Sequence, residues 1–177
     1  MSDPPLSYIE FLGNDVGKEN IIFLTHGLFG SKRNWVNTAK SLSERLNRHV
    51  VAIDLRNHGS SFWSKTHDYL SLGRDLIKLA DYFGQKVDLV GHSMGGKAVM
   101  SASLINPHNF GKLVVVDISP VTYFHSEFMD FIWGMKQLDL AQINSRSQAD
   151  QILSDHVPDQ KIRSFLLQNM IRKETGN

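Results

Sequence analysis

Residues 87–104, VDLVGHSMGGKAVMSASL, decide the fold of this chain. The apolar run at 87–90 predicts a strand, and the run at 96–104 predicts a helix. The pentapeptide between them has the Gly-x-Ser-x-Gly pattern of a nucleophile elbow, a sharp turn that lifts a serine above the edge of a sheet. The two glycines of the pattern allow the close backbone contacts that such a turn requires.

Ser93, at the centre of this turn, is predicted to be a nucleophile. The predicted helix begins directly behind it, and a helix N-terminus favours the negative charge that develops during acyl transfer. A serine in the same pattern can also be only a turn residue or a helix N-cap, and the motif alone leaves that alternative open. The strand before the turn and the helix after it favour the catalytic interpretation.

Strands alternate with helices through the first 120 residues. The predicted elements are an edge strand at 8–12, buried parallel strands at 21–24, 50–53, 87–90 and 113–116, and helices at 34–46, at 70–83 and from the elbow to about 105. This alternation predicts an α/β fold, with a mostly parallel sheet and helices on its faces.

The pattern changes after residue 120, so we divide the chain into an α/β core at 1–120 and a helical segment at 121–177. Helical patterns in the second part are found at 124–138, 148–153 and 161–171. Aromatic residues are dense there, and Phe124 and Phe128 are candidate substrate-binding residues. The functional interpretation is part of a lid with an apolar acyl pocket beneath it, and the alternative is an ordinary helical core.

Composition excludes several classes of function. The 177 residues carry a formal net charge of +1, so no basic excess points to nucleic acid. No apolar run approaches the ~20 residues of a membrane span, and the N-terminus lacks the apolar core of a secretory signal. The chain has no cysteine, and its eight histidines show no metal-binding spacing. We therefore expect a cytoplasmic protein without metal or cofactor, and the oligomeric state stays open.

Residues 26–30, HGLFG, follow the first buried strand and are called the glycine loop below. An oxyanion hole takes one backbone N–H from the residue after the nucleophile and another from a loop after an earlier strand. Met94 is the first predicted donor and Leu28 the second. Phe29 is the alternative second donor and a candidate substrate-binding residue. His26 is expected to fix this loop.

Asp117 directly follows the strand predicted at 113–116. Side chains at the C-terminal ends of parallel strands line the ligand crevice, and the chain order Ser, Asp, His would be kept. Asp117 is therefore the candidate catalytic acid, and the alternative is a helix cap or loop anchor. His58 is expected to brace its loop rather than act as a base, and His92 to pack or orient.

Four stretches together resemble the α/β-hydrolase superfamily, and more closely the serine esterases of the bacterial YbfF type and their mitochondrial abhydrolase-domain relatives. They are HGLFGS at 26–31, DLRNHG at 54–59, GHSMGGKAVM at 91–100 and VDISPV at 116–121. The resemblance implies a cofactor-independent serine hydrolase whose substrate is a small carboxylic ester or an acyl thioester such as acyl-CoA. It implies that Ser93 attacks, that Leu28 and Met94 hold the oxyanion, and that Asp117 occupies the acid position.

The resemblance also implies a catalytic histidine from a late loop beyond the lid. After Ser119 only His125 and His156 remain, and both fall in helical patterns. We therefore expect a chain truncated at its C-terminus, without the last strands of the sheet and without the base. A second hypothesis follows, in which the chain is a non-catalytic fragment that binds acyl ligands or a partner without turnover.

Overall fold

Five strands form one sheet in the computed structural model, which describes residues 3–13, 19–123 and 127–171. The strands are β1 (Tyr8–Phe11), β2 (Ile21–Thr25), β3 (Val50–Ile53), β4 (Val87–His92) and β5 (Phe110–Val116). Their order in the sheet is β1-β3-β2-β4-β5, with β1 antiparallel to β3 and every other pair parallel. The predicted α/β fold with a mostly parallel sheet is confirmed.

The strand register brings three loops to one edge of the sheet. Thr25, the last residue of β2, pairs with Gly91 in β4, and His92 at the end of β4 pairs with Val116 at the end of β5. Because these strands are parallel, the glycine loop, the elbow and Asp117 all leave the sheet at its carboxyl edge. Open α/β sheets bind their ligands at this edge.

Three α-helices cover the sheet: α1 (Val36–Leu46), α2 (Tyr69–Phe83) and α3 (Met94–Ile105). The helix predicted from residue 34 begins instead as a 3₁₀ turn at Lys32–Trp35. The Asp68 side chain caps α2 by accepting from the Ser71 N–H at 2.7 Å, and Gly84 ends this helix at φ 66°. The helix buries three leucines, Leu72, Leu76 and Leu79, each of which contributes roughly 2 kcal/mol.

The two faces of the sheet carry separate apolar clusters because neighbouring side chains of a strand point in opposite directions. Phe23 and Val51 lie in the larger cluster with residues of α2 and α3. Leu24 and Ala52 lie in the smaller cluster with Ala39 of α1. Both faces of the central strands are therefore buried, as their continuous apolar runs predict.

The prediction that β5 is buried was wrong for most of this strand. Phe110 is 6% exposed, but Leu113 and Val114 are 44% and 49% exposed. The apolar pattern of an interior strand is present, yet within the described residues β5 pairs with β4 alone and forms an edge of the sheet. The neighbours of a strand, which its own sequence does not encode, decide its burial.

The described residues fall into two compact units that divide between Pro120 and Val121. The second unit contains α4 (Glu127–Lys136), α5 (Arg146–Leu153), α6 (Gln160–Leu166) and a 3₁₀ turn at Leu167–Asn169. Its buried residues are Ala149, Leu153, Val157, Leu166 and Leu167. The Arg163 guanidinium donates to both carboxylate oxygens of Asp150, at 2.9 and 3.2 Å, and so links α6 to α5.

No helix among the described residues is long and apolar enough to cross a membrane. The cytoplasmic location stays a prediction.

Candidate active site

Ser93 occupies a strained backbone position between β4 and α3, with φ 52° and ψ −119°. Such a conformation is rare outside glycine and persists only where the surroundings hold it. Its N–H donates to the carbonyl oxygen of Val116 at 3.0 Å, and its own carbonyl accepts the first helical hydrogen bond from Lys97. The strand, turn and helix predicted around the pentapeptide are present, and the serine sits at the N-terminus of α3.

Gly95 allows the turn to pack directly onto the end of β2. A Cβ atom at this position would lie 2.5 Å from the carbonyl oxygen of His26 and 2.7 Å from that of Thr25. Gly91 is equally confined, because a Cβ there would collide with the backbone of Gly95. The two glycines of the motif are therefore required by contact and not by backbone angle.

The glycine loop lies against the nucleophile. A Cβ at Gly27 would lie 3.3 Å from the Ser93 Cβ and 3.1 Å from the His92 Nδ1. The Gly30 N–H donates to the Gly27 carbonyl at 3.0 Å and closes a turn, in which Phe29 has φ 62°. Leu28 packs against the larger core cluster. Leu28 and Phe29, the two candidates for the second oxyanion donor, thus belong to a tight turn that lies against the serine.

His26 ties this loop to the loop that follows β3. The ring is buried; its Nδ1 donates to the Gly27 carbonyl at 2.8 Å, and its Nε2 accepts from the Leu55 N–H at 3.1 Å. Burial lowers the pKa of His26 to about 4, so the ring is neutral near pH 7. These contacts fit the bracing role expected from the sequence.

Asp117 follows β5 with its backbone at φ 55° and its side chain 86% exposed. Its Oδ2 lies 3.7 Å from the His92 Nε2, too long for a hydrogen bond. The other nitrogen of the His92 ring faces Gly27, so the ring spans the gap between the glycine loop and Asp117. The structure therefore brings Ser93, the glycine loop and Asp117 together at one edge of the sheet.

His58 belongs to the loop at residues 54–68, called the β3 loop below. Its Nδ1 donates to the Arg56 carbonyl at 2.9 Å, and its ring packs at a tilt against that of His26 with centroids 4.9 Å apart. Arg56 forms a bidentate ion pair with Asp75 of α2, at 2.6 and 2.8 Å. These contacts are those of a loop brace.

Two buried acids of this region were missed in the sequence. Asp75 lies on the apolar face of α2, three residues after Leu72, and this polar residue in an apolar stripe was the available signal. Asp54 accepts from the backbone N–H and the Nζ of Lys32, at 2.6 and 2.7 Å. No local sequence pattern pairs Lys32 with Asp54, since the two residues are distant in the chain.

The candidate pocket residues divide between the two units. Phe29 lies in the glycine loop of the first unit. Phe128 lies in α4 of the second unit, half-buried, with its ring centroid 6.0 Å from that of Phe131. Phe124 lies outside the described residues. Within the described ranges, no group of three histidine or acidic side chains is arranged to hold a metal ion.

The comparisons with known proteins agree with this geometry. A sequence model of the alpha/beta hydrolase family matches residues 21–167. The mouse sn-1-specific diacylglycerol lipase ABHD11 is 43% identical over 173 residues, which cover 94% of this chain and 56% of the relative. Ethanol acetyltransferase 1 of Hanseniaspora uvarum is 34% identical, with 90% of this chain and 50% of the relative covered.

A solved structure of a marine microorganism esterase superimposes with a TM-score of 0.88 at 30% identity, covering 98% of this chain and 67% of the esterase. The chain spans about half the length of the curated relatives described above. The family match extends over most of the chain and includes the elbow, the glycine loop and Asp117. The chain therefore belongs to the alpha/beta hydrolase family.

Proposed function

We propose that this chain carries the nucleophile and the oxyanion hole of a serine hydrolase that cleaves carboxylic esters or acyl thioesters. The observation that carries the proposal is the strained Ser93 at the start of α3, with the glycine loop against its Cβ. Strain of this kind is retained at functional sites, where the structure around it compensates for its cost. Ser93 is the N-cap residue of α3, but its side chain makes no capping hydrogen bond, so capping does not account for the strained backbone.

In the proposed reaction, the Ser93 Oγ attacks the acyl carbonyl and the carbonyl oxygen becomes an oxyanion. The first N–H groups of an α-helix have no partner within the helix, so the Met94 N–H is available to this oxygen. The second donor comes from the glycine loop, from Leu28 or Phe29. One such donor contributes about 3 kcal/mol to the stability of the transition state. Collapse of the intermediate expels the alcohol or thiol and leaves an acyl-enzyme, which water hydrolyses.

Asp117 is proposed as the acid of the triad. Its place after β5, beside the elbow, supports this assignment, as does the order of Ser93 and Asp117 in the chain. A histidine takes the third place in such a triad, and it removes the proton from the serine hydroxyl. Without that base a serine hydroxyl is a weak nucleophile, so turnover depends on it.

The substrate class is proposed from the relatives. One is named a diacylglycerol lipase and another an ethanol acetyltransferase, and both names describe the chemistry of an oxygen ester. The second name favours one further candidate function, acyl transfer from the acyl-enzyme to an alcohol in place of water. An assay with a thioester donor, with and without ethanol, separates the two because only transfer yields an ethyl ester.

The direct test is labelling with a fluorophosphonate probe. We expect the probe to label Ser93 in the protein that also supplies the histidine base, and Ser93→Ala in that protein to lose the label. The matched control is Ser103→Ala in the same helix, since the Ser103 Oγ is buried without a hydrogen-bond partner in the described structure. Label that persists in Ser93→Ala contradicts the proposal. Binding of fatty acyl compounds without label or turnover favours the non-catalytic fragment.

The second unit is proposed as a lid, with Phe128 in its acyl pocket. If this is correct, Phe128→Ala lowers kcat/KM for long-chain esters and leaves that for acetate esters nearly unchanged. Removal of one aromatic ring from an apolar contact is expected to cost about 10-fold or more. An equal loss for short and long esters contradicts a role in acyl binding.

A further inference from the structure

Three histidine rings, of His26, His58 and His67, lie in succession with tilted ring planes and form what is called the histidine column below. The ring centroids of His26 and His58 are 4.9 Å apart, and those of His58 and His67 are 5.7 Å apart. His26 and His58 are buried at 2% and 8% exposure, whereas His67 is exposed. The histidine column therefore runs from solvent into the core and ends at the glycine loop. The proposed reaction uses none of these rings as an acid or a base.

Both nitrogens of the innermost ring are engaged in a way that requires a neutral imidazole. The His26 Nδ1 donates to the Gly27 carbonyl, and its Nε2 accepts from the Leu55 N–H. A proton added at the His26 Nε2 turns this nitrogen into a donor. Because the Leu55 N–H that faces it is also a donor, the hydrogen bond between them is lost. That bond links the glycine loop to the β3 loop.

The outermost ring has a contact that a neutral imidazole satisfies. The Asn57 amide is oriented by Ser64, because its Oδ1 accepts from the Ser64 N–H at 2.6 Å and its Nδ2 donates to the Ser64 carbonyl at 3.0 Å. The remaining Nδ2 hydrogen points to the His67 Nδ1 at 3.3 Å, which must accept it. Protonation of His67 at Nδ1 opposes this contact as well.

The charged groups that face the column are Lys32, Asp54, Arg56 and Asp68. Burial is the main cause that lowers the pKa of all three histidines, and for His26 the pKa falls to about 4. Lys32 and Arg56 act in the same direction, on His26 and His67 respectively. Asp54 and Asp68 raise the pKa of the rings that they face, but the pKa of each ring is still lowered. A charged His67 also lowers the pKa of His58, and a charged His58 lowers the pKa of His26.

We propose that the histidine column positions the glycine loop only while its rings are neutral, so that acidification releases this loop from the β3 loop. The inference rests on the proposed function in one respect, since release matters to catalysis only if Leu28 or Phe29 holds the oxyanion. His58 and His67 are positioning residues here, because they act through His26 and touch no substrate.

The pH window follows from the direction of the shift. A histidine whose pKa is lower in the folded state than the ordinary value of about 6.5 favours the fold while it is neutral. Its contribution is present above pH ~6.5 and is lost as the pH falls towards the folded pKa of about 4. From pH 7 to pH 5, local opening at His26 should become about 20-fold more favourable by this linkage.

The test is amide hydrogen exchange, measured by NMR as protection factors at pH 7 and pH 5 on the whole chain. We expect protection of the Leu55 amide to fall by about 20-fold more than that of the Leu89 amide in β4. The control variant is His108→Ala, which removes an exposed histidine outside the column and should leave this difference unchanged. The proposal is overturned if the protection factors of the Leu55 and Leu89 amides change equally between pH 7 and pH 5, or if that of Leu55 does not change.

Coupling along the column is tested by the His58 imidazole titration in His67→Ala. His67 is exposed, so the variant should fold. Loss of the His67 charge should raise the pKa of His58, seen as a higher midpoint of its imidazole titration. An unchanged midpoint contradicts coupling between the rings. Neither readout involves ester turnover, so failure here leaves the Ser93 labelling experiment as an independent test of the proposed function.

Discussion

The Ser93 backbone N–H donates to the carbonyl oxygen of Val116 with an N···O distance of 3.0 Å. This bond joins the turn that carries the candidate nucleophile to the residue that precedes the candidate acid. Ser93 and Asp117 are therefore placed by one shared hydrogen bond at the end of the β4–β5 ladder. A disturbance at the end of β5 would move both residues.

The strain at Ser93 gives a first prediction. Glycine tolerates φ 52° without penalty, so Ser93→Gly should be more stable than Ser93→Ala by about 1 kcal/mol. Chemical denaturation of the two variants measures the difference. Both lack the hydroxyl, so both should resist the fluorophosphonate probe. If Ser93→Gly is the less stable of the two, the backbone at this position is not strained.

Gly27→Ala should impair the site more than the fold. Its Cβ would press on the His92 ring and the Ser93 Cβ at 3.1–3.3 Å, which displaces the glycine loop from the oxyanion. We expect the rate of probe labelling to fall at least ~10-fold, since a small misplacement of such a donor is costly. The control is Gly84→Ala, where φ is 66° and no atom lies within 4 Å of the new Cβ. That variant should lose about 1 kcal/mol of stability and keep its labelling rate.

Asp75→Ala should strongly destabilise the first unit. Arg56 would be left partly buried without its bidentate partner, and loss of one member of a buried pair typically costs about 3–5 kcal/mol. Lys40→Ala breaks the exposed Lys40–Glu44 pair and should cost less than ~0.5 kcal/mol. Urea midpoints of the two variants measure the contrast. If both variants lose only a similar, small amount of unfolding free energy, water replaces the Asp75 carboxylate around Arg56.

Among the described residues β5 is an edge strand with exposed apolar side chains, so the 177-residue chain studied by itself is expected to self-associate. An apolar edge strand offers unpaired backbone groups to another chain, and a lysine on such an edge opposes that pairing. Val114→Lys should therefore reduce light scattering at high protein concentration without loss of secondary structure. Leu70→Lys, at an exposed position of α2, is the control and should leave scattering unchanged. Equal effects of both variants would point to net charge rather than to the strand edge.

The sequence predicted most of this fold because the signals were local. The elbow is recognisable since Gly91, Ser93 and Gly95 are contiguous with their strand and helix, and the apolar runs of β2 and β3 mark strands buried on both faces. The exposure of β5 and the pairing of Arg56 with Asp75 were not predictable in this way. Both depend on which distant segments become neighbours, and a window of adjacent residues carries no record of that.

The order of strands in the sheet has a consequence for synthesis and folding. The β2 strand lies between β3 and β4, so during synthesis it gains its second neighbour only when residue 87 onwards has left the ribosome. By then His26 can already be bonded to Leu55, which holds the glycine loop before the elbow exists. The nucleophile thus emerges after the glycine loop that it packs against and before β5 and Asp117, so the site is completed only when β5 has joined the sheet.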